Sequence, residues 1–326
     1  MRYGAAALVI VFYVDAFLLG GEWSSWVLFG ALLIPAVAGI IVTTRQLPRA
    51  ARPRLIDVAL ALTATLVVAA VVRDFGLPPV LAASLVGVVA ALASVANDRL
   101  GSVAVPWYCG CFAGMTSELV LADWLSVTIA GLGAGLLVSL LRTTWDGVGG
   151  KLGLLAFSGV FLTSFVSRGL GTIGPGAPVF DFDLADRLAL VAVPPLAATI
   201  TWALWRRGSS PVLASAAPTA AFALLLLLLD DNTPLGDVMP FTYPSLCIAW
   251  FGGSFIGMTA PDRVGGRLWP LLVAASLFGV LQIAFKPTIA GFGGDFGATA
   301  SVAVVAVIGL VAVVRHVAGL RRAAGP

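Results

Sequence analysis

Apolar stretches of about twenty residues, separated by short polar breaks, recur along the whole chain and limit its fold more than any other feature. A stretch of that length, wound as an α-helix, matches a hydrocarbon layer about 30 Å thick. Water cannot satisfy backbone groups inside such a layer, so a helix that bonds its own N–H and C=O groups is the form these lengths predict. The pattern predicts an all-α polytopic membrane protein of about 12 transmembrane segments. They lie near 4–20, 24–43, 56–72, 78–96, 101–120, 122–141, 149–166, 186–205, 211–229, 239–260, 264–284 and 296–314. Composition agrees: 60% of residues are hydrophobic and 11% charged, against about a quarter charged in soluble domains. The first stretch, Ala5 to Gly20, reads as a retained span rather than a cleaved leader. It is long for a signal core, no small-x-small cleavage site follows, and a second apolar stretch begins just after Glu22.

The net charge of +3 points to a membrane rather than to nucleic acid once its placement is considered. With a cytoplasmic N-terminus and twelve crossings, fifteen of the nineteen basic residues fall inside, and Arg73, Arg168, Arg187 and Lys286 fall outside. This positive-inside bias predicts a multi-pass protein of the cell (inner) membrane with both termini cytoplasmic. The lipid bilayer is then the expected partner, with no nucleic acid.

A search for self-similarity finds two blocks that each occur twice. Residues 107–117 read WYCGCFAGMTS and residues 250–260 read WFGGSFIGMTA, six of eleven positions being identical. About 35 residues later, 142–153 read RTTWDGVGGKLG and 286–297 read KPTIAGFGGDFG. Upstream, Pro79-Val-Leu-Ala82 recurs as Pro211-Val-Leu-Ala214. The anchors divide the chain into two N-terminal helices (1–44), a first five-span half (55–168), an external loop (169–183) and a second five-span half (184–316). Five is odd, so the second half is expected to enter the membrane from the opposite face, giving a 5+5 inverted-topology repeat. Inverted pairs form carriers and channels whose route follows the interface between the halves. Other five-plus-five proteins have signatures that this chain lacks. It has no Asn-Asn-Pro run as in urea transporters, no paired pore histidines as in ammonium channels, and no Asp-Asp pair within a span as in one class of sodium/proton antiporters.

The first block spaces Gly110/Gly114 and Gly253/Gly257 four apart on one helix face, a spacing that lets helix backbones approach closely in lipid. Thr116 and Thr259 follow with hydroxyls, and Trp107 and Trp250 fit interfacial anchors, pathway walls or packing. In the second block Gly149, Gly150 and Gly153 open one span and Gly293, Gly294 and Gly297 another. Free N–H groups at such a helix start can converge on an anion, and Arg142 and Lys286 stand just upstream. The competing reading is a tight interhelical turn beside ordinary surface cations. Lys151 and Asp295 occupy matched positions with opposite charge.

Asp15 is the clearest acid at membrane depth and a candidate for proton coupling. Gln282 is a weaker polar candidate, and Asp57 and Asp186 suit helix starts. Cys109, Cys111 and Cys247 lie in apolar segments without metal-ligand neighbours, and His316 is the one histidine. No Walker sequence, catalytic triad or metal cluster is present, so no enzyme activity, metal or cofactor is expected. The expectation is an integral membrane transporter or channel for a small solute, preferably an anion. The alternatives are a proton-coupled carrier of a neutral solute using Asp15 and a non-transporting scaffold or lipid-handling protein. Self-association into a homo-oligomer is compatible with all three.

Overall fold

A computed structural model of the chain describes residues 23–44, 53–97, 100–169, 182–232 and 243–323. The segment expected over 4–20, with Asp15, lies outside the described residues, as does most of the 169–183 loop. The described residues form eleven α-helices: α1 (Trp23–Thr44), α2 (Leu55–Arg73), α3 (Pro79–Ala96), α4 (Ala104–Gly114), α5 (Trp124–Leu140), α6 (Lys151–Gly169), α7 (Leu184–Arg206), α8 (Pro211–Asn232), α9 (Tyr243–Gly257), α10 (Trp269–Ile289) and α11 (Asp295–Ala323). Five of them, α2, α3, α7, α8 and α11, contain stretches long and apolar enough to cross a membrane.

Capping fixes several starts. Pro79 occupies the first turn of α3, where a missing N–H costs nothing. Asp123 accepts the Ser126 N–H at 2.8 Å to open α5, and Asp183 does the same for Asp186 at the start of α7. Asp186 itself is buried and accepts the Ser245 hydroxyl at 2.6 Å, so it ties α7 to α9 rather than capping its helix.

Apolar and small residues are distributed inversely to a soluble protein. On α5 the large residues Leu125, Ile129, Leu132 and Leu136 are exposed at spacings of four, three and four, which lines them along one face. The interior of the same helix buries Ala130, Gly131, Ala134, Gly135 and Ser139. An outward apolar stripe over a small-residue interface is what packing in lipid favours, because close backbone contact rather than water exclusion holds the helices together. Many buried hydroxyls fold back on their own helices, as in Thr65 to Ala61 O (2.8 Å) and Thr219 to Ser215 O (2.7 Å), which satisfies them in an apolar medium; the buried Thr201 hydroxyl is an exception.

Helix neighbours recur along the chain. Helix α2 packs on α4 and α5, and α7 on α9 and α10; α5 packs on α6, and α10 on α11. Contacts of α3 with α8 and of α6 with α11 join the two sets, and α1 lies against α11.

One expected span is much shorter than the sequence suggested. The apolar stretch 101–120 forms helix only over the 11 residues Ala104–Gly114, about 16 Å at 1.5 Å per residue and half of a hydrocarbon layer. The chain leaves the helix because the Thr116 hydroxyl donates to Ala113 O at 2.6 Å and the Ser117 N–H turns away to Gly291 O at 2.9 Å. In the opposite sense, α10 runs beyond the expected 264–284 to Ile289, so Lys286 falls within its last turn; the Lys286 side chain lies outside the described residues.

Candidate functional site

The two pairs of sequence blocks meet each other crosswise. Thr116, after α4, accepts the Gly293 N–H at 3.1 Å, and Thr259, after α9, accepts the Gly149 N–H at 3.2 Å. The main chain repeats the crossing, with Ser117 N–H to Gly291 O at 2.9 Å and Ala260 N–H to Gly147 O at 2.8 Å. The end of each short helix is therefore bonded to the glycine turn belonging to the other block pair.

Each turn needs a residue without a side chain. Gly150 and Gly294 have φ of 79° and 88°, a left-handed conformation that a β-carbon disfavours. One turn further on, α6 and α11 touch through their backbones: a β-carbon on Gly153 would stand 2.5 Å from the Gly297 Cα, and one on Gly297 would stand 2.6 Å from the Gly153 Cα.

The glycines of the first block also serve close approach. A β-carbon on Gly114 would lie 2.5 Å from Thr65 O, and one on Gly257 would lie 2.5 Å from Ala198 O. Gly110 passes the backbone of Ala61 and Gly253 that of Pro194 in the same way. On the far side of these helices, Phe112 and Phe255 meet edge-on with ring centroids 4.9 Å apart, flanked by Tyr108 and Phe251. Trp107 donates its indole N–H to Val86 O at 3.2 Å, and Trp250 stacks on Phe222 at 4.1 Å. Both tryptophans thus pack on a neighbouring helix.

Charge breaks the likeness between the two turns. Lys151, the first residue of α6, donates to Arg142 O at 2.7 Å. Arg142 also stands 3.9 Å from the buried Asp57 carboxylate. Beside this turn Arg263 donates through Nε and Nη2 to Asp146 O at 3.0 and 2.7 Å. At the other turn the matched first residue of α11 is the buried Asp295, whose Oδ1 accepts the Phe296 N–H at 2.8 Å.

Next to Asp295 lies a cavity of about 570 Å³ between α2, α3, α9, α11 and the segment after α4. Its wall includes Arg73, Thr116, Glu118, Tyr243, Cys247, Gly291 and Asp295 together with apolar residues such as Val72, Met115, Ile248 and Phe292. The Arg73 side chain is 6% exposed and 3.9 Å from Glu118. It donates through Nη2 to Leu121 O at 2.6 Å and lies 5.5 Å from the Trp124 ring. Its Nε is buried with no hydrogen-bond acceptor.

Of the residues singled out in the sequence, Thr116, Thr259 and the glycines of the second block come together, whereas Gly110 and Gly114 face α2 and Gly253 and Gly257 face α7. Arg142 borders one turn, and Asp15 and the Lys286 side chain lie outside the described residues. Sequence reasoning passed over Arg73, although it belongs to the same small group of outward cations that drew attention to Lys286. It also gave Asp295 no role beyond its charge difference from Lys151. Gln282 is fully buried, with neither amide atom hydrogen-bonded. Among the described residues no group of three or more His, Cys, Asp or Glu side chains is arranged to hold a metal. Comparison of the chain with protein-family models, curated proteins and solved structures gives no match.

Proposed function

We propose that this chain is a transport protein for a small solute, built from two inverted five-helix halves whose interface carries the route. The observation that carries the reading is the crossed pair of bonds, Thr116 with Gly293 and Thr259 with Gly149. Two halves that each terminate a short helix on the other's glycine turn make a junction deep in the helix bundle. The cavity lies directly against one arm of that junction, sharing Thr116, Gly291 and Asp295 with it. A scaffold has no need of a cavity with charged side chains in its wall at the contact between halves, whereas a route for solute requires a cavity there.

The solute belongs in the cavity rather than at the glycine turns. The Gly149 and Gly293 N–H groups already go to threonine hydroxyls, and Arg142 is paired with Asp57. The anion preference read from the sequence would then act through Arg73. In the orientation set by the basic residues, with both termini cytoplasmic in the cell membrane, the cavity faces outward.

Reconstitution tests this reading. Proteoliposomes holding the full chain should accumulate or release a small radiolabelled solute at least tenfold faster than protein-free vesicles, across a panel of inorganic anions, carboxylates, amino acids and neutral polyols. Filling the cavity with Met115→Trp should abolish that flux. Flux no greater than in empty vesicles for every panel member would sink the proposal.

A further inference from the structure

We infer that the rings of Tyr108, Phe112, Phe251 and Phe255 form the closed gate of the route, and that a chain of hydroxyls from Tyr108 through Ser215 and Ser254 latches it. The inference rests on the transport reading, because a gate presupposes a route between two halves.

Position carries the gate. The blocks 107–117 and 250–260 correspond residue by residue, which pairs Tyr108 with Phe251 and Phe112 with Phe255. Phe112 therefore meets its own counterpart, edge-on at 4.9 Å. The other ring contacts come in matched pairs. Tyr108 to Phe112 and Phe251 to Phe255 are both 4.3 Å, while Phe112 to Phe251 is 5.7 Å and Tyr108 to Phe255 is 6.4 Å. Residues that touch their own counterparts mark the axis relating two halves, and Gly153 against Gly297 marks it a second time. A route between inverted halves must cross that axis. All four rings are buried, and a constriction filled by apolar rings holds no water and stops a polar solute. The cluster also begins one helical turn below the cavity. Phe112 precedes the wall residue Met115 by three positions, Phe251 follows the wall residue Cys247 by four, and Phe296 of the wall meets Phe251 at 6.3 Å.

Hydrogen bonding carries the latch. The Ser254 hydroxyl donates to Phe251 O at 2.7 Å, so its single proton is spent and it accepts from Ser215 at 2.8 Å; Ser215 in turn accepts from the Tyr108 hydroxyl at 3.3 Å. The chain starts on one gate ring and ends on the backbone of another, crossing from α4 to α8 and α9. Its counterparts in the sequence are Phe251 for Tyr108, Ala83 for Ser215 and Cys111 for Ser254, a set with no hydroxyl in it. The rings obey the twofold relation and the hydroxyls break it, so the rings close the route and the hydroxyls bias it toward the closed arrangement.

The test uses the full chain in proteoliposomes loaded with radiolabelled chloride and erythritol, with melting temperature as the check that each variant is folded. Phe112→Ala and Phe255→Ala should each speed passive efflux of at least one probe by about fivefold or more over wild type, because a void replaces a ring at the axis. Phe278→Ala is the control. Its ring is fully buried but packs on Gly252 within the second half, away from the axis, and its efflux should stay at the wild-type rate. Tyr108→Phe keeps the ring, as Phe251 does in the other half, and cuts the hydroxyl chain; it should fold like wild type and raise efflux by about threefold. Wild-type efflux in Tyr108→Phe and in every alanine variant that folds would overturn the inference. So would an equal rise in Phe278→Ala, which would assign the leak to loosened packing. Solute flux by wild type without a leak in the variants would leave the transport reading standing and remove only the gate. A leak in the variants without flux of any solute by wild type would keep the closed barrier and remove the transport reading.

Discussion

Gly153 and Gly297 face each other so closely that a β-carbon on Gly153 would stand 2.5 Å from the Gly297 Cα. Helices α6 and α11 thus meet backbone to backbone at their first turns, where no side chain can be fitted. Gly153→Ala and Gly297→Ala should each destabilise by about 1–3 kcal/mol through overpacking, read as a lower melting temperature in detergent. Gly76, where a β-carbon would meet nothing, serves as the contrast, although its φ of 68° carries a small strain of its own. Wild-type melting in Gly153→Ala would mean that α6 and α11 do not touch there.

The crossed hydroxyls predict a matched pair of effects. Thr116→Val and Thr259→Val keep the side-chain shape but leave the Gly293 or Gly149 N–H buried without an acceptor, a loss of about 1–3 kcal/mol each. Serine at either position keeps the oxygen and should recover most of the loss. If the valine variants melt like wild type, these bonds contribute nothing to the junction.

How much of this was legible in the sequence depended on whether a residue's partner shared its local pattern. The glycines and threonines of the repeated blocks were found because repetition marks them, and helix starts at Lys151 and Asp295 fall within two residues of the expected openings. Their partners were not legible. Nothing local says that Thr116 bonds Gly293, 177 positions away, or that two of the N–H groups expected to be free, those of Gly149 and Gly293, go to threonine hydroxyls. The 101–120 stretch misled for a similar reason. Its hydropathy continues past Gly114, but the helix ends where a hydroxyl and a remote carbonyl compete for the backbone. Arg73 was missed because a cation at a helix end looks like an ordinary interfacial residue until the cavity beside it is seen.

Asp123, exposed and one residue before α5 begins, caps that helix, and the Ser126 N–H, followed by the Ser126 hydroxyl, holds its carboxyl below the usual carboxylate range. A folded-state pKa that is depressed adds stability above the unfolded value, near 4, and that stability is lost as pH falls through the folded value. Asp123→Ala should therefore melt lower than wild type at pH 7, by a cap's worth of about 1 kcal/mol, and the gap should shrink as the pH falls below about 4. A gap independent of pH would assign the loss to something other than the carboxylate.

Gln282 makes a prediction of opposite sign. Its amide is fully buried with neither atom hydrogen-bonded, a state that costs about 1–3 kcal/mol. Gln282→Leu should raise the melting temperature by a few degrees if the amide is idle. A fall, or a loss of solute flux at unchanged melting temperature, would show instead that the amide meets a solute or an ordered water.

The two sides of the junction differ in how they are fastened, and the transport reading turns that difference into an experiment. At the Gly147–Gly150 turn, Lys151 holds Arg142 O and Arg263 holds Asp146 O twice, besides the Ala260-to-Gly147 bond. The matched turn keeps the Ser117-to-Gly291 bond, but Asp295 and Val120 stand in place of Lys151 and Arg263, and neither side chain can donate as those cations do. On the transport reading, a carrier held at the Gly147–Gly150 turn by these cations rests open on the side where the cavity lies. Arg263→Ala removes two charge-assisted bonds and should shift the balance toward the opposite opening by about tenfold, equivalent to about 1.4 kcal/mol. Cys247 lines the cavity, while Cys109, bonded to Leu152 O at 3.3 Å, sits beside Lys151. In wild type a small water-soluble thiol reagent should modify Cys247 faster than Cys109. In Arg263→Ala, Cys247 should slow and Cys109 should quicken. Equal rates in the two proteins would show that the Arg263 bonds fix a surface turn and do not govern access.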